Sequence, residues 1–309
     1  MKEKPIVLGV DIGGSHITAA LIDLERREIV PGSLKRQFVD AQEDAEKILN
    51  DWCTVISQSF DTTTLTQRKI GIAMPGPFDY EQGISKIKDQ KKFQSLYNIN
   101  VRQELSRRLN IQPENIRFIN DAASFLQGEV FCGAARDYKK VLGLTLGTGL
   151  GSALCKEGVA EDADLWNSVF KDGIVEDYLS SRWFLHRYTE LSDETVNDVK
   201  ELTELKESRT YLNQIFSDFS NNLVAFLAPL VEKHECDAVV IGGNISNAHT
   251  LFLPEVNQLL EENHIRVPIK IAELKEDASL IGAASCWDHL TRETQARPLT
   301  QGQPVKQNT

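Results

Sequence analysis

The sequence predicts an α/β protein of two halves, each opened by a strand, a glycine turn and a second strand. Three observations predict it. Residues 6–10 form a buried-strand run ending in Asp11-Ile12-Gly13-Gly14-Ser15-His16, after which residues 17–22 resume a strand. Residues 141–146 repeat the pattern, stopping at Gly147-Thr148-Gly149 and resuming through residues 151–154. Both units read as strands joined by a tight turn. A third apolar run, residues 238–241, ends in Gly242-Gly243-Asn244, and the intervening segments carry helical spacing.

Taken in order, residues 28–38 supply a further strand interrupted by Pro31-Gly32, and Asp40 with Glu43 reads as a capping box. Ala45, Ile48, Leu49, Trp52, Ile56 and Phe60 then mark an amphipathic helix with Trp52 as core packing. Residues 69–74 are a strand closed by Pro75-Gly76-Pro77-Phe78-Asp79, a turn with a fixed backbone course. A helix over 101–109 precedes a strand over 116–119, which delivers Asn120-Asp121 at its carboxyl end, where open α/β sheets hold ligands. A helix over 122–135 follows, so Asp121, taken alone, reads first as a simple N-cap. In the second half, residues 173–179 enter a helix, and a long amphipathic helix runs over 211–230. A strand at 269–272 and a closing helix over 279–290 complete the pattern, and residues 291–309 read as a frayed polar tail.

A chain of 309 residues suffices for two domains with separate cores. Its 41% hydrophobic and 26% charged content is that of a globular protein. The net charge of −11 argues against a nucleic-acid footprint, which needs a basic face; the one basic run, residues 86–92, reads as a solvated loop. No apolar stretch approaches the ~20 residues of a membrane span and no signal peptide is evident, so a cytoplasmic protein is expected. Cys53, Cys132, Cys155, Cys236 and Cys286 lack CxxC spacing, which speaks against a disulfide framework and a zinc site.

The glycine turns allow backbone N–H groups to approach an anion, and Thr148 adds a hydroxyl, so a phosphate is the natural guest. The 147–149 turn taken alone is equally a plain hairpin turn.

Five ordered motifs, DIGGSH, AMPGPFD, INDAASFLQGE, LTLGTGLGSA and VVIGGN, resemble the ROK family of sugar kinases and sugar-responsive repressors. The resemblance covers about residues 5–290. It implies two ribonuclease-H-like domains of the actin-like ATPase superfamily with ATP and a sugar in the cleft between them. The implied division is 1–119 plus 288–309 against 120–287. By the same resemblance Asp11 holds magnesium and Gly13, Gly14, Ser15 and His16 face the phosphates. Gly147, Thr148 and Gly149 form the second phosphate turn, and Gly242, Gly243 and Asn244 lie beside the adenosine. Gly76, Asn120, Asp121, Asp164, Asn167 and Glu176 surround the sugar, with Asp121 as catalytic base.

The chemistry suits these roles, since phosphoryl transfer asks mainly for positioning, charge stabilisation and a carboxylate to accept the hydroxyl proton. One carboxylate plus ATP oxygens suffices for Mg²⁺. The family's Glu-x-Gly-His is replaced by Asp164-Leu165-Trp166-Asn167, and its zinc-binding cysteine cluster is missing, so no structural zinc is expected. Ser15-His16 stands where the family usually has Thr-Lys, and Trp166 in place of Gly narrows the expected pocket. Glu176 is either the family's later sugar-contacting glutamate or a first-turn helix carboxylate. The expected activity is an ATP-dependent kinase of a hexose or N-acetylhexosamine, with a homodimer implied by the family. The alternatives are a sugar-responsive regulator, for which the chain ahead of residue 6 leaves no room for a helix-turn-helix, and a sugar binder without activity.

Overall fold

The computed structural model describes residues 5–288, apart from residues 66, 89, 91 and 206–208; the tail expected over 291–309 lies outside the described residues. The buried apolar runs of the opening segment fold as β1 (Ile6–Ile12) and β2 (His16–Asp23), antiparallel, with Ile12 opposite Ile17. The strand expected over 28–38 is two, β3 (Glu28–Ile29) and β4 (Lys35–Phe38), both paired with β2. Pro31 and Gly32, at φ +79°, break the run between them. Helix α1 (Ala45–Phe60) starts later than the capping-box reading placed it. Asp40 instead closes a turn by accepting the Gln42 N–H at 2.9 Å, and Asp44 is the true cap, accepting from Lys47 N at 2.8 Å.

Strand β5 (Ile70–Met74), buried throughout, runs parallel to β1. A small hairpin, β6 (Phe78–Asp79) and β7 (Ile84–Ser85), and helix α2 (Val101–Leu109) lead to β8 (Ile116–Asn120), parallel to β5. The sheet order is β3-β2-β1-β5-β8, with β4 also on β2.

After α3 (Asp121–Cys132) the same topology is written again. Strands β9 (Lys140–Leu146), β10 (Leu150–Lys156) and β11 (Val159–Asp162) form an antiparallel meander. A short hairpin, β12 (Val169–Phe170) and β13 (Gly173–Ile174), occupies part of the stretch expected to enter a helix. Helices α4 (Ser181–Ser192), α5 (Val199–Glu204) and α6 (Arg209–His234) follow. Strand β14 (Ala238–Gly242) pairs in parallel with β9, and beyond α7 (Leu253–Glu262) β15 (Ile269–Ile271) pairs in parallel with β14. The second sheet reads β11-β10-β9-β14-β15, the strand order of the first.

The closing helix is α8 (Asp277–Ser285). The two inner helices are exchanged. Helix α3 follows the last strand of the first sheet yet packs on β9, β10 and β11, while α8 follows the second sheet and packs on β1 and β5. Glycines make the exchange possible. A Cβ on Gly9 or Gly71 would sit 2.0 or 1.9 Å from the carbonyl oxygens of Leu280 and Ala283, and one on Gly128 or Gly282 would strike the facing inner helix at 2.1 and 1.8 Å. Ser124 Oγ donates to Ser279 O at 2.8 Å across the same crossing. The buried Glu129 carboxylate accepts from the N–H groups of Ala134, Glu273 and Leu274, tying the end of α3 to the segment that enters α8. Helix α8, ahead of the expected boundary at 287/288, packs on β1 and β5 of the first sheet and on α3.

Helices α1 and α2 cover the opposite face of the first sheet around Trp52, Phe60 and Phe93. Helices α4, α6 and α7 cover that of the second around Phe184, Phe216 and Phe219.

Candidate functional site

Parallel strands β1, β5 and β8 end together, and their register aligns Asp11 with Ala73, then Ala73 with Ile119 and Met74 with Asn120. At ~4.8 Å between strands, Asp11 and Asn120 stand roughly 10 Å apart along one carboxyl edge. The turn after β1 is closed by Gly13 N–H donating to His16 O at 2.9 Å, and Ser15 Oγ meets His16 Nδ1 at 2.9 Å. Neither Gly13 nor Gly14 has a positive φ, and a Cβ on either would find the nearest atom 3.5 or 3.8 Å away. Gly147 likewise meets nothing within 4 Å. The left-handed backbone that glycine turns suggested is therefore absent at these three positions. What the missing side chains leave is open space in front of the backbone, while the Gly13 and Gly147 N–H groups close their turns on His16 O and, at 3.0 Å, on Gly149 O.

Gly149 and Gly243 are glycine for internal reasons. A Cβ on Gly149 would lie 2.6 Å from Glu176 Oε2; Gly243, at φ +82°, would place one 2.3 Å from Leu146 O. The ends of β9 and β14 thus lie side by side, with Gly242 opposite Thr145. Thr148 and Asn244 are exposed at this edge.

Asn120, not Asp121, is the N-cap of α3: its Oδ1 accepts from Ala123 N at 3.0 Å. Asp121 is the first helical residue, exposed, with Oδ1 accepting from Ala122 N at 2.9 Å. Ala122 in turn packs against Gly151, beyond the 147–149 turn, where a Cβ would be 3.1 Å from it. Asn120 Nδ2 donates to Tyr80 Oη at 3.2 Å, and Tyr80 donates to Met74 O at 3.1 Å. Gly76 completes this corner, since a Cβ there would lie 3.4 Å from Tyr80 Oη.

The electrostatics show which carboxylates feel one another. Burial pushes Asp11 up to about 6, the charge of Asp121 adds to the rise, Arg36 opposes it and Glu276 adds again. Arg36 reaches this region because it stands opposite Thr18, itself opposite Asp11; its guanidinium is held at 2.8 Å by Glu276. Asp162 is raised above the ordinary carboxylate range by desolvation and by Asp164 and Asp121, against a bond from the Asp164 N–H. Tyr80 is raised above the ordinary phenol by burial, with Asp121 and Asp162 adding. Asp11, Asp121, Asp162 and Tyr80 therefore form one acidic basin.

The remaining expected sugar residues lie differently. Glu176 has both oxygens engaged, Oε2 by Leu150 N at 3.0 Å and Oε1 by Arg182 at 2.5 Å, so it braces the 147–149 turn. Asp164, at φ +48°, accepts from Trp166 Nε1 at 2.9 Å, and Asn167 is exposed. Asp162, two residues before Asp164, feels the charge of Asp121. Tyr80, Asp162 and Arg36 were not singled out by sequence. Their only signals were a tyrosine after the proline turn and the acid run at 161–164. Among the described residues no group of three or more His, Cys, Asp or Glu is arranged to hold a metal ion, and no helix is long and apolar enough to cross a membrane.

Comparison with known proteins agrees with this architecture. An N-acetyl-D-glucosamine kinase of Mannheimia succiniciproducens is 25% identical over 316 aligned residues, spanning 91% of this chain and 99% of that protein. The crystal structure of a ROK family glucokinase from Streptomyces griseus in complex with glucose and AMPPNP superposes with a TM-score of 0.67 at 20% identity, covering 91% of this chain and 98% of that one. A ROK family transcriptional regulator superposes with a TM-score of 0.69 at 16% identity, covering 90% of this chain and 76% of the regulator. The fold is that of two actin-like ATPase domains. The ROK family profile matches residues 7–161 and 171–289, and the unmatched stretch between them holds Asp162, Asp164, Trp166 and Asn167, where the motif departs. With nearly its whole length matched, the chain belongs to the ROK family.

Proposed function

We propose that this protein is an ATP-dependent sugar kinase that transfers the γ-phosphate to a hydroxyl of a hexose or N-acetylhexosamine. The observation that carries the reading is Asp121: an exposed carboxylate fixed at the start of α3, in one basin with Asp11, Asn120 and Tyr80. A carboxylate so anchored can accept the proton of a sugar hydroxyl as phosphorus is attacked. The turns at Gly13-Gly14 and Gly147-Thr148 are uncrowded and leave room for phosphate oxygens, with the Gly13 and Gly147 N–H groups closing the turns themselves, and Gly242-Gly243-Asn244 flanks the nucleotide.

Asp11 fits a magnesium ion carried with ATP. It is a hard oxygen donor whose ionised form the folded chain disfavours, and a cation would relieve that. When bound, Mg²⁺ neutralises phosphate charge. Asn120 orients the sugar, Asp121 receives the proton, and the surrounding lobes limit water. Relatives named N-acetyl-D-glucosamine kinase and N-acetylgalactosamine kinase support the substrate class. We also propose a cytoplasmic homodimer acting on a small sugar without nucleic acid.

The test is an ATP-coupled assay across glucose, fructose, mannose and their N-acetylamino forms with Mg²⁺, comparing wild type with Asp121→Asn. The expected outcome is turnover of at least one sugar and a loss of about a hundred- to ten-thousandfold in kcat in the variant. Unchanged turnover in the variant removes Asp121 as base; no ATP-dependent turnover of any sugar sinks the kinase reading. Similarity to a transcriptional regulator supports a second reading as a sugar-responsive regulator. Specific, salt-sensitive DNA binding would favour it.

A further inference from the structure

At the sugar end of the cleft the chain makes a relay of contacts that ends on Asn120. Tyr80 Oη lies across the carboxyl ends of two neighbouring parallel strands: it donates to the carbonyl of Met74 on β5 at 3.1 Å and accepts from Nδ2 of Asn120 on β8 at 3.2 Å. Met74 and Asn120 are register partners, so one phenol spans one rung of the sheet. The orientation of the Asn120 amide follows from bonding at both ends. Its oxygen must face Ala123 N–H, which it caps at 3.0 Å, leaving the nitrogen toward Tyr80. Asn120 is buried to 8% exposure. One of its two N–H groups is spent on Tyr80, and one is left for a ligand.

Tyr80 is itself held. Arg102 of α2 donates to the carbonyls of Glu81, at 2.5 Å, and Tyr80, at 3.1 Å. Its guanidinium stands 5.7 Å over the Phe118 ring, and Phe118 packs on Phe78, which packs on Tyr80. The Phe78 and Phe118 rings and a clamped backbone thus fix the phenol before any substrate arrives. The one hydroxyl it presents is spent on the amide beside the base.

We propose that Tyr80 is a positioning residue for phosphoryl transfer, holding the Asn120 side chain so that its free N–H reads one hydroxyl of the bound sugar. The inference rests on the sugar-kinase reading and adds a residue to it. Tyr80 touches neither the reacting hydroxyl nor the phosphate; it acts through Asn120. Removing its oxygen loosens the amide and weakens sugar binding, while Asp121, bonded to Ala122 N, keeps its place.

The experiment is a double-mutant cycle on the full-length protein with Mg-ATP and whichever sugar the wild type phosphorylates. Tyr80→Phe keeps the ring packing and deletes the hydroxyl. Asn120→Ser keeps an N-cap and deletes the amide nitrogen. Tyr80→Phe is expected to raise the KM for sugar roughly five- to thirtyfold, the effect of deleting a single hydrogen bond, with kcat and the KM for ATP changed much less. The same substitution made on the Asn120→Ser background is expected to add nothing further, with sugar affinity read by calorimetry. A series of monodeoxy sugars supplies an independent check, because the Tyr80→Phe penalty should vanish for the analogue lacking the hydroxyl that Asn120 reads. A penalty that persists undiminished in Asn120→Ser, or that is equal for every deoxy sugar, overturns the proposal and leaves the kinase reading intact. So does a variant that loses kcat and melting temperature together with KM unchanged, the mark of a merely structural role. A wild type that neither binds nor phosphorylates any sugar overturns both.

Discussion

Asp11 sets the folded chain against its own chemistry. Its carboxyl is pushed from 3.8 up to about 6 by burial, reinforced by Asp121, so between these values the folded state holds more protons than the unfolded one. Stability of the ligand-free protein therefore falls as pH rises from about 4 to about 6, and the cost is fully present above that range. We expect Asp11→Asn to raise the melting temperature of the ligand-free protein at pH 7.5 by a few degrees, an advantage that disappears below about pH 4. The same variant should lose Mg-ATP affinity, read by calorimetry. A melting difference that does not change with pH would sink the assignment. Residue identities at this scale were half legible. Strand-end position picked out Asn120 and Asp121 because carboxyl ends of strands are recognisable from apolar runs, whereas Asp11 was singled out by the family resemblance. Tyr80 and Asp162 escaped because their roles depend on which strands lie side by side, Met74 beside Asn120 and β11 beside β10, which no local pattern encodes.

Elements carry the next constraint, above all the crossing of α3 and α8. An alanine at Gly282 gains about 1 kcal/mol of helix propensity over glycine. Its Cβ, however, would lie 1.8 Å from Ser124 O, and a backbone atom cannot step aside by changing rotamer. Overpacking of this kind costs about 1–3 kcal/mol or more, so we expect Gly282→Ala to destabilise by about 2 kcal/mol in urea unfolding despite the propensity gain. A second change isolates the neighbouring tether. Glu129→Ala leaves the N–H groups of Ala134, Glu273 and Leu274 without their acceptor and is expected to cost about 2–4 kcal/mol. Elements with strong local patterning were legible: both glycine hairpins, the stripe of α1, and α2. Helices α4 and α5 went unread, and residues 173–179 form a bridge pair and a short 3₁₀ turn rather than a helix. There Glu176 and Asp177 look like first-turn acids, but Leu150 N and Ile174 N claim their side chains.

The whole molecule is one strand order written twice with its inner helices traded. The repeat of turn motifs made the two halves legible, whereas the trade was invisible, because a helix's period does not say which sheet it will cover. On the α8 side of the first sheet, Val7, Ala20, Ile22 and Leu24 are buried against Leu280, Ile281, Ala284 and Trp287. A fragment ending at residue 119 would leave that face in water. We expect it to be insoluble or to lack cooperative unfolding, and adding residues 277–288 on a short linker to restore a sigmoidal melt; a cooperative melt of the bare fragment would contradict this.

The traded helices also govern how such a molecule can be rebuilt. A chimera that grafts the front lobe of one relative onto the rear lobe of another, cut once ahead of α3, inherits a foreign seam, since the front lobe receives a closing helix shaped for someone else's glycines. Viable recombinants need two crossovers, the second ahead of residue 277, so that Gly9 and Gly71 travel with the helix whose carbonyls they admit.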